Sequence, residues 1–265
     1  MMDKKEVVLK VENVTKIFKN SKRKYIGLNN ISFEVFKNEI FGLVGESGCG
    51  KTTTGRVIIK LYDIDYGNIY FNNRLINKGF NEKDYHKYKK DIKKTESKIQ
   101  MIFQDPVASL NPRMTIREII AEGLIIQKKY SKEYIENKVI EVANLVGLSI
   151  DHLNRYPHEF SGGQKQRIGI ARAVIMEPDL IIADEAVSAL DVSIEAQILN
   201  LIIDLKNKLG VTFIFISHDL NVIRYLSDRI AVMKDGEILE IKETENLFNN
   251  PSNNYTKELL SHINN

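Results

Sequence analysis

The chain has 265 residues, of which 43% are hydrophobic and 28% charged, the balance of one globular α/β domain or of a core with a smaller lobe. A net charge of +3 with both signs interleaved argues against the basic stripe of a nucleic-acid surface, and the densest run, Tyr88 to Lys94, reads as a solvated face. One cysteine, Cys49, allows no internal disulfide, no apolar run approaches the ~20 residues that cross a bilayer, and Met1 to Lys5 lack a signal-peptide pattern, so any membrane spans are expected from other chains.

Ile31-Ser32-Phe33-Glu34-Val35 alternates apolar and polar residues, as a half-exposed strand does. Asn38-Glu39 turns the chain, and Ile40-Phe41-Gly42-Leu43-Val44 follows as a continuous apolar run, the mark of a strand buried on both faces. That run leads directly into the glycine-rich segment Gly45 to Thr52, and helical spacing continues from Thr52 to Leu61. A short strand is predicted over Ile99 to Phe103, ending at Gln104-Asp105-Pro106. From Thr115 to about Gly147 the apolar residues Ile116, Ile119, Ile120, Ile135, Val139, Val142 and Leu145 recur with helical spacing, which predicts a helical lobe. Another helix is predicted from Ser161 to about Met176, then a buried strand over Leu180 to Ala183. A helix over Ser193 to Leu209 stops at Gly210, and Val211 to Ile216 is a further buried strand. Asp235-Gly236 marks a hairpin between Arg229–Met233 and Glu237–Glu240. Strands alternating with helices predict an α/β fold with a largely parallel sheet.

Gly45-x-x-x-x-Gly50-Lys51-Thr52 has the spacing of a phosphate-binding loop, or P-loop. Glycines let the backbone curl and aim its N–H groups at phosphate oxygens, a lysine reaches the terminal phosphates, and a hydroxyl binds Mg²⁺. A glycine turn before a helix is the plainer reading, but the buried strand before it and the helix after it supply the context a P-loop needs. Asp184-Glu185 closes a buried strand at its carboxyl end, where ligands of parallel sheets sit. Asp184 is a candidate Mg²⁺ ligand and Glu185 a candidate general base, although an exposed acidic strand end is also common. His218 follows the next strand and is a candidate for holding the attacking water, or a structural histidine. Ser161-Gly162-Gly163-Gln164 opens a helix with capping-box spacing; the same geometry offers backbone N–H groups and a helix dipole to a phosphate.

The order P-loop, Gln104, Ser161-Gly162-Gly163-Gln164, Asp184-Glu185, Ser188-Ala189-Leu190-Asp191, His218 resembles the ABC ATPase family over essentially the whole chain, with Phe160 where the usual signature has leucine. The resemblance implies a P-loop NTPase fold with a largely parallel core sheet, an N-terminal antiparallel β subdomain and an inserted helical lobe. Its expected division is an ATP-binding core of residues 1–104 and 177–248, a helical lobe of 105–176 and a tail of 249–265. The resemblance also implies a sandwich dimer. ATP and Mg²⁺ would be held by Gly45, Glu46, Ser47, Gly48, Cys49, Gly50, Lys51, Thr52 and Thr53 of one subunit and closed over by Ser161 to Gln164 of the other. Gln104 would sense the γ-phosphate and the Mg²⁺ held by Thr52 and Asp184, and would couple to the membrane partner. Ser188 to Asp191 would cross the dimer interface. Phe18 would stack on adenine, with Tyr25 as the alternative. The implied catalytic set is Glu185, His218, Lys51 and Gln104.

Gln104-Asp105-Pro106, Ser109-Leu110-Asn111-Pro112-Arg113, Tyr156-Pro157-His158-Glu159-Phe160 and the tail Asn250 to Leu260 are similar to the oligopeptide, dipeptide and nickel importer branch. That branch's tail usually carries His-Pro where Asn253-Asn254 stand. The branch implies a peripheral motor on the cytoplasmic face of the membrane, two permease subunits, an extracytoplasmic substrate-binding protein and a second cassette, as a heterodimer or alternatively a homodimer. Peptides are the expected cargo, with nickel or a metal chelate as the alternative. A soluble ABC ATPase acting on nucleic acid, a nucleotide sensor without turnover and an exporter cassette are the competing readings.

Overall fold

The computed structural model describes residues 5–20, 23–79 and 96–261; the charged run of residues 88–94 lies outside them. Two sheets organise the described residues. β1 (Val7–Asn20), β2 (Arg23–Phe36), β4 (Tyr66–Phe71) and β5 (Arg74–Lys78) form an antiparallel sheet in the order β2-β1-β4-β5. β3 (Ile40–Val44), β6 (Ile99–Ile102), β7 (Leu180–Asp184), β8 (Thr212–Ser217), β9 (Arg229–Lys234) and β10 (Glu237–Glu243) form the second, in the order β10-β9-β3-β8-β7-β6. Its pairings are parallel except between β9 and β10, which are joined by Asp235-Gly236.

The unbroken apolar runs of β3, β7 and β8 follow from burial on both faces. Phe41, Leu43, Ile182, Ile214 and Ile216 point toward the antiparallel sheet and share a core with Leu9, Val11, Phe33 and Ile69. Within it the rings of Phe33 and Phe41 stack 5.3 Å apart. Ile40, Val44, Ile181, Ala183, Phe213 and Phe215 point the other way, into a second core made with helices. Helix α1 (Lys51–Ile58) buries Val57 and Ile58 in the first core, so the helix that follows the glycine loop lies between the sheets.

On the other side, α2 (Pro106–Ser109), α3 (Ile116–Gln127), α4 (Lys132–Leu145) and α5 (Gly162–Val174) pack together. The continuous helical spacing from Thr115 to Gly147 resolves into separate helices. Lys128 turns left-handed at φ 54° to end α3, and Ser131 caps α4 by accepting from Tyr134 N at 3.1 Å. Thr115 and Glu118 form a capping box at the start of α3. α6 (Val192–Leu209) and α7 (Leu220–Leu226) flank β8, and α8 (Thr244–Asn249) and α9 (Asn254–Ser261) complete the chain. Among the described residues no helix is long and apolar enough to cross a membrane.

The β4–β5 hairpin was not anticipated. Its turn, Asn72-Asn73, has both residues left-handed at φ 47° and 60°, and two adjacent asparagines were the available signal.

Candidate nucleotide site

β3, β6, β7 and β8 run parallel, so their carboxyl ends share one sheet edge, and the candidate residues gather there. The loop after β3 needs its glycines. A Cβ on Gly45 would strike the carbonyl oxygen of Met233, and one on Gly50, at φ 109°, would stand 2.7 Å from the carbonyl oxygen of Gly27. Lys51 is buried at 5% exposure, and its Nζ donates to the carbonyl oxygens of Gly45 (2.7 Å) and Glu46 (2.9 Å). Among the described residues no carboxylate lies within ion-pair distance of it. Nζ also donates to the Cys49 Sγ at 3.8 Å, and a buried ammonium whose partners are two carbonyls and a neutral thiol is a seat for an anion. Burial pushes the Cys49 thiol up, so it remains neutral beside this ammonium.

The first turn of α1 faces the end of β7. Thr52 Oγ1 donates to Asp184 Oδ1 at 3.0 Å, and Asp184 is 3% exposed. Burial raises the Asp184 carboxyl, against the pull of Thr52 and of the Arg56 charge. A hydroxyl and a carboxylate in contact form an oxygen-only pair that suits Mg²⁺. Among the described residues no three His, Cys, Asp or Glu side chains cluster as a metal cage, and Mg²⁺ commonly takes one or two protein ligands and completes its shell with phosphate and water. Arg56 was absent from the sequence-derived set. It sits one helical turn after Thr52, on the same face of α1, and that spacing was the signal.

Glu185 follows β7 in a left-handed conformation, φ 46°, and its N–H donates to Ile216 O at 2.9 Å. This turn brings its carboxylate between two neighbours. Gln104 Nε2 donates to Oε2 at 2.7 Å, and His218 Nδ1 lies 3.3 Å from Oε1. Each carboxylate oxygen has two acceptor positions, so both retain room for a water molecule. Gln104, expected near the metal, has its amide nitrogen on Glu185.

Phe18 and Tyr25 are register partners across β1 and β2, and their rings stack with centroids 5.0 Å apart. Tyr62 meets Phe18 edge-on at 5.3 Å. A Cβ on Gly27 would press on the Phe18 ring, and the Gly27 carbonyl adjoins Gly50, so this aromatic stack borders the glycine loop. Phe18 is half-buried within it and Tyr25 is exposed.

The remaining candidates form a separate group. Ser161 Oγ accepts from Gln164 N at 3.4 Å while Gln164 Oε1 accepts from Ser161 N at 3.0 Å, a capping box at the start of α5. Gly163 lies tight against Ile194 of α6, and Gly162 near Leu190. Asp191 caps α6 by accepting from Ile194 N at 3.0 Å, and Ser188 Oγ donates to the Glu185 carbonyl at 3.0 Å. Ser161, Gly162, Ser188 and Ala189 are exposed. Among the described residues no hydrogen bond joins Ser161–Gln164 to the glycine loop.

Between α1 and β6 on one side and α2, α3 and α5 on the other lies an open cleft of about 1150 Å³, lined by Phe103, Gln104, Glu122, Ile126, Arg172 and Met176 among others. Asp184 lies on its wall, so the cleft reaches the candidate metal ligand.

A family model described as ABC transporter matches residues 28–188. The oligopeptide transport ATP-binding proteins OppF of Streptococcus mutans and of Bacillus subtilis are 49% and 48% identical, over 99% and 97% of this chain and 83% of each relative. The dipeptide transport ATP-binding protein DppF of Lactococcus lactis is 47% identical over 99% of this chain and 83% of its own length. Among solved structures, a dimeric ATP-binding cassette in a post-hydrolysis state bound to ADP and Pi superposes with a TM-score of 0.76 at 30% identity, over 89% of this chain and 98% of that one. CbiO1 from Clostridium perfringens, part of an ABC transporter complex, gives 0.79 at 25% identity, over 98% and 95%. With the glycine loop, the Thr52–Asp184 pair and the bracketed Glu185 at one sheet edge, and with relatives matching along nearly its full length, the chain belongs to the ABC transporter family as an ATP-binding subunit that couples ATP hydrolysis to transport.

Proposed function

We propose that this chain is one of the paired motor subunits of a peptide importer, working against a second cassette at the cytoplasmic face of the membrane. The observation that carries the hydrolytic reading is Glu185 held between Gln104 and His218, beside the buried Lys51 and the Thr52–Asp184 pair. Gly45 to Thr53 bind the phosphates of ATP, with Lys51 against the terminal ones. Thr52 and Asp184 would hold Mg²⁺, with Gln104 as a further candidate; the ion would neutralise charge on the phosphates. Glu185 takes the proton of the water that attacks the γ-phosphorus, Gln104 and His218 fix its carboxylate, and the γ-phosphoryl group leaves ADP.

The start of α5, Ser161 to Gln164, closes on ATP held by the partner cassette, and Ser188 to Asp191 lie along the same interface. The exposure of Ser161, Gly162, Ser188 and Ala189 in a single chain supports this reading, because an anion-binding helix start has use only where a ligand can reach it. The partner is a related but different cassette, with a homodimer as the other arrangement. The Phe18–Tyr25 stack borders the adenine. The cleft lined by Gln104, Glu122 and Arg172 receives a permease segment, so that movement there reaches Gln104 and, through it, Glu185. Two permeases and an extracytoplasmic binding protein complete the importer.

Oligopeptides or dipeptides are the cargo, as the names of the relatives suggest. The test is uptake in cells lacking this chain, complemented with the native protein or with Lys51→Ala. Labelled short peptides and radioactive nickel, with and without a chelating cosubstrate, are assayed side by side. Peptide uptake restored by the native protein alone supports the proposal. Restoration of nickel uptake alone moves the chain to a metal importer.

A further inference from the structure

The carboxy-terminal helix reaches the nucleotide loop, and neither the ATPase chemistry nor the family match assigns it a role there. Tyr255, in the first turn of α9, is 7% exposed, and its ring lies under Lys234 Nζ at 4.3 Å. Its hydroxyl oxygen accepts from the N–H of Glu46 at 3.4 Å, across 209 residues of sequence. That N–H belongs to the peptide joining Gly45 to Glu46. The carbonyl at the other end of the same peptide, Gly45 O, accepts from Lys51 Nζ at 2.7 Å. A peptide unit is planar and stiff. One rigid plane therefore connects a phenol of the tail to the ammonium that sits where phosphate binds.

The tail is itself held in place. Glu240 Oε1 and Oε2 accept from the N–H groups of Ser252 (2.8 Å) and Asn253 (3.0 Å), and Lys242 Nζ donates to Asn250 O at 2.7 Å. Asn253 Oδ1 then accepts from Tyr255 N at 2.8 Å. Asn253 thus serves as the cap of α9. Leu260 and Leu247 share the apolar core with the Tyr255 ring, so the helix cannot slide without losing burial. Burial pushes the Tyr255 hydroxyl up to about 12, and it stays neutral at physiological pH.

The geometry points to Tyr255 as a positioning residue of the nucleotide loop, acting through the Gly45–Glu46 peptide on Lys51, so that the carboxy-terminal helix sets the affinity for ATP. This rests on reading Gly45 to Thr53 as the ATP loop, and the experiment separates the two statements. Binding of a fluorescent ATP analogue, mant-ATP with Mg²⁺, is titrated against the full chain as native protein, Tyr255→Phe and Lys51→Ala, with Tm recorded for each. Tyr255→Phe keeps the ring and its burial and removes only the hydroxyl. The expected result is affinity weakened roughly three- to tenfold, the size of one lost hydrogen bond, with Tm within about 2 °C of native.

Native affinity in Tyr255→Phe, with binding lost in Lys51→Ala, overturns the positioning role and leaves the ATP loop standing. Native affinity in Lys51→Ala overturns the loop reading and the positioning role with it. Should affinity and Tm fall together in Tyr255→Phe, amide hydrogen exchange decides. Faster exchange confined to the loop around Glu46 supports the proposal, and faster exchange throughout the sheet overturns it.

Discussion

Gln104 Nε2 donates to Glu185 Oε2 at 2.7 Å, joining the end of one strand to the end of its neighbour across 81 residues of sequence. Gln104 lines the open cleft, whereas Glu185 is the candidate base, so this bond links the cleft to the base. Replacing Glu185 by Gln keeps the shape and removes the proton acceptor. ATP turnover is expected to fall by about 10²–10³ while mant-ATP binding persists. Single-turnover hydrolysis beside equilibrium binding checks this. Binding lost together with turnover would show that Glu185 supports the fold of the site instead.

Gln104→Ala removes the donor and leaves the acid intact. Turnover is expected to drop on the order of tenfold with little change in nucleotide affinity, and coupling of turnover to the permeases is expected to weaken further. ATPase assays with and without the permeases separate the two effects. Equal losses in both settings would confine Gln104 to the chemistry.

Gly50→Ala asks an L residue to adopt φ 109° and places its Cβ against the Gly27 carbonyl. Loss of mant-ATP binding by more than about tenfold is expected, with a lowered Tm. Gly210→Ala, at φ 67° with open space around its Cβ, is the control. It should cost stability on the order of 1 kcal/mol and leave binding unchanged.

Glu240 offers a prediction in pH. Burial alone would raise its carboxyl, but Lys242 and the N–H groups of Asn253 and Ser252 bring it down to about 2. A depressed carboxyl stabilises the fold above its unfolded value and loses that contribution as pH falls toward its folded one. The window therefore opens near pH 4.5 and runs to about pH 2. Between pH 6 and pH 3.5 the advantage of the native chain over Glu240→Gln should shrink by about 1.4 kcal/mol, one pH unit inside the window. Urea unfolding at the two pH values measures it. A constant difference would show that the carboxylate contributes nothing through its charge.

Most of the parallel sheet could be read directly, because strands buried on both faces carry unbroken apolar runs, as Ile40–Val44 and Leu180–Ala183 do. The glycine loop was legible for a related reason: backbone curvature needs particular residues at particular spacings, and chemistry follows at adjacent positions. Ser161 to Gln164 form the capping box that their spacing predicts. What escaped was tertiary. Tyr255 carries no local sign of its contact with Glu46, and Arg56 acquires its place only when α1 docks between the sheets. The bond between Gln104 and Glu185 depends on β6 lying beside β7, which no local pattern specifies. Phe18 and Tyr25, weighed as alternatives, are register partners in one stack.

The Asp235-Gly236 hairpin has a practical consequence. Surface hairpins are ordinarily where a chain accepts an affinity tag, a fluorescent domain or new termini. This one is tied on both sides: Gly236 N–H donates to Cys49 O at 2.9 Å, Asn29 N–H donates to Gly236 O at 2.8 Å, and the carbonyl of Met233 closes against Gly45. Its tip joins the antiparallel sheet to the phosphate loop. A fusion inserted there would splay both apart, so labels meant to leave turnover intact belong at the Asn72-Asn73 turn, which lies on the antiparallel sheet away from these contacts.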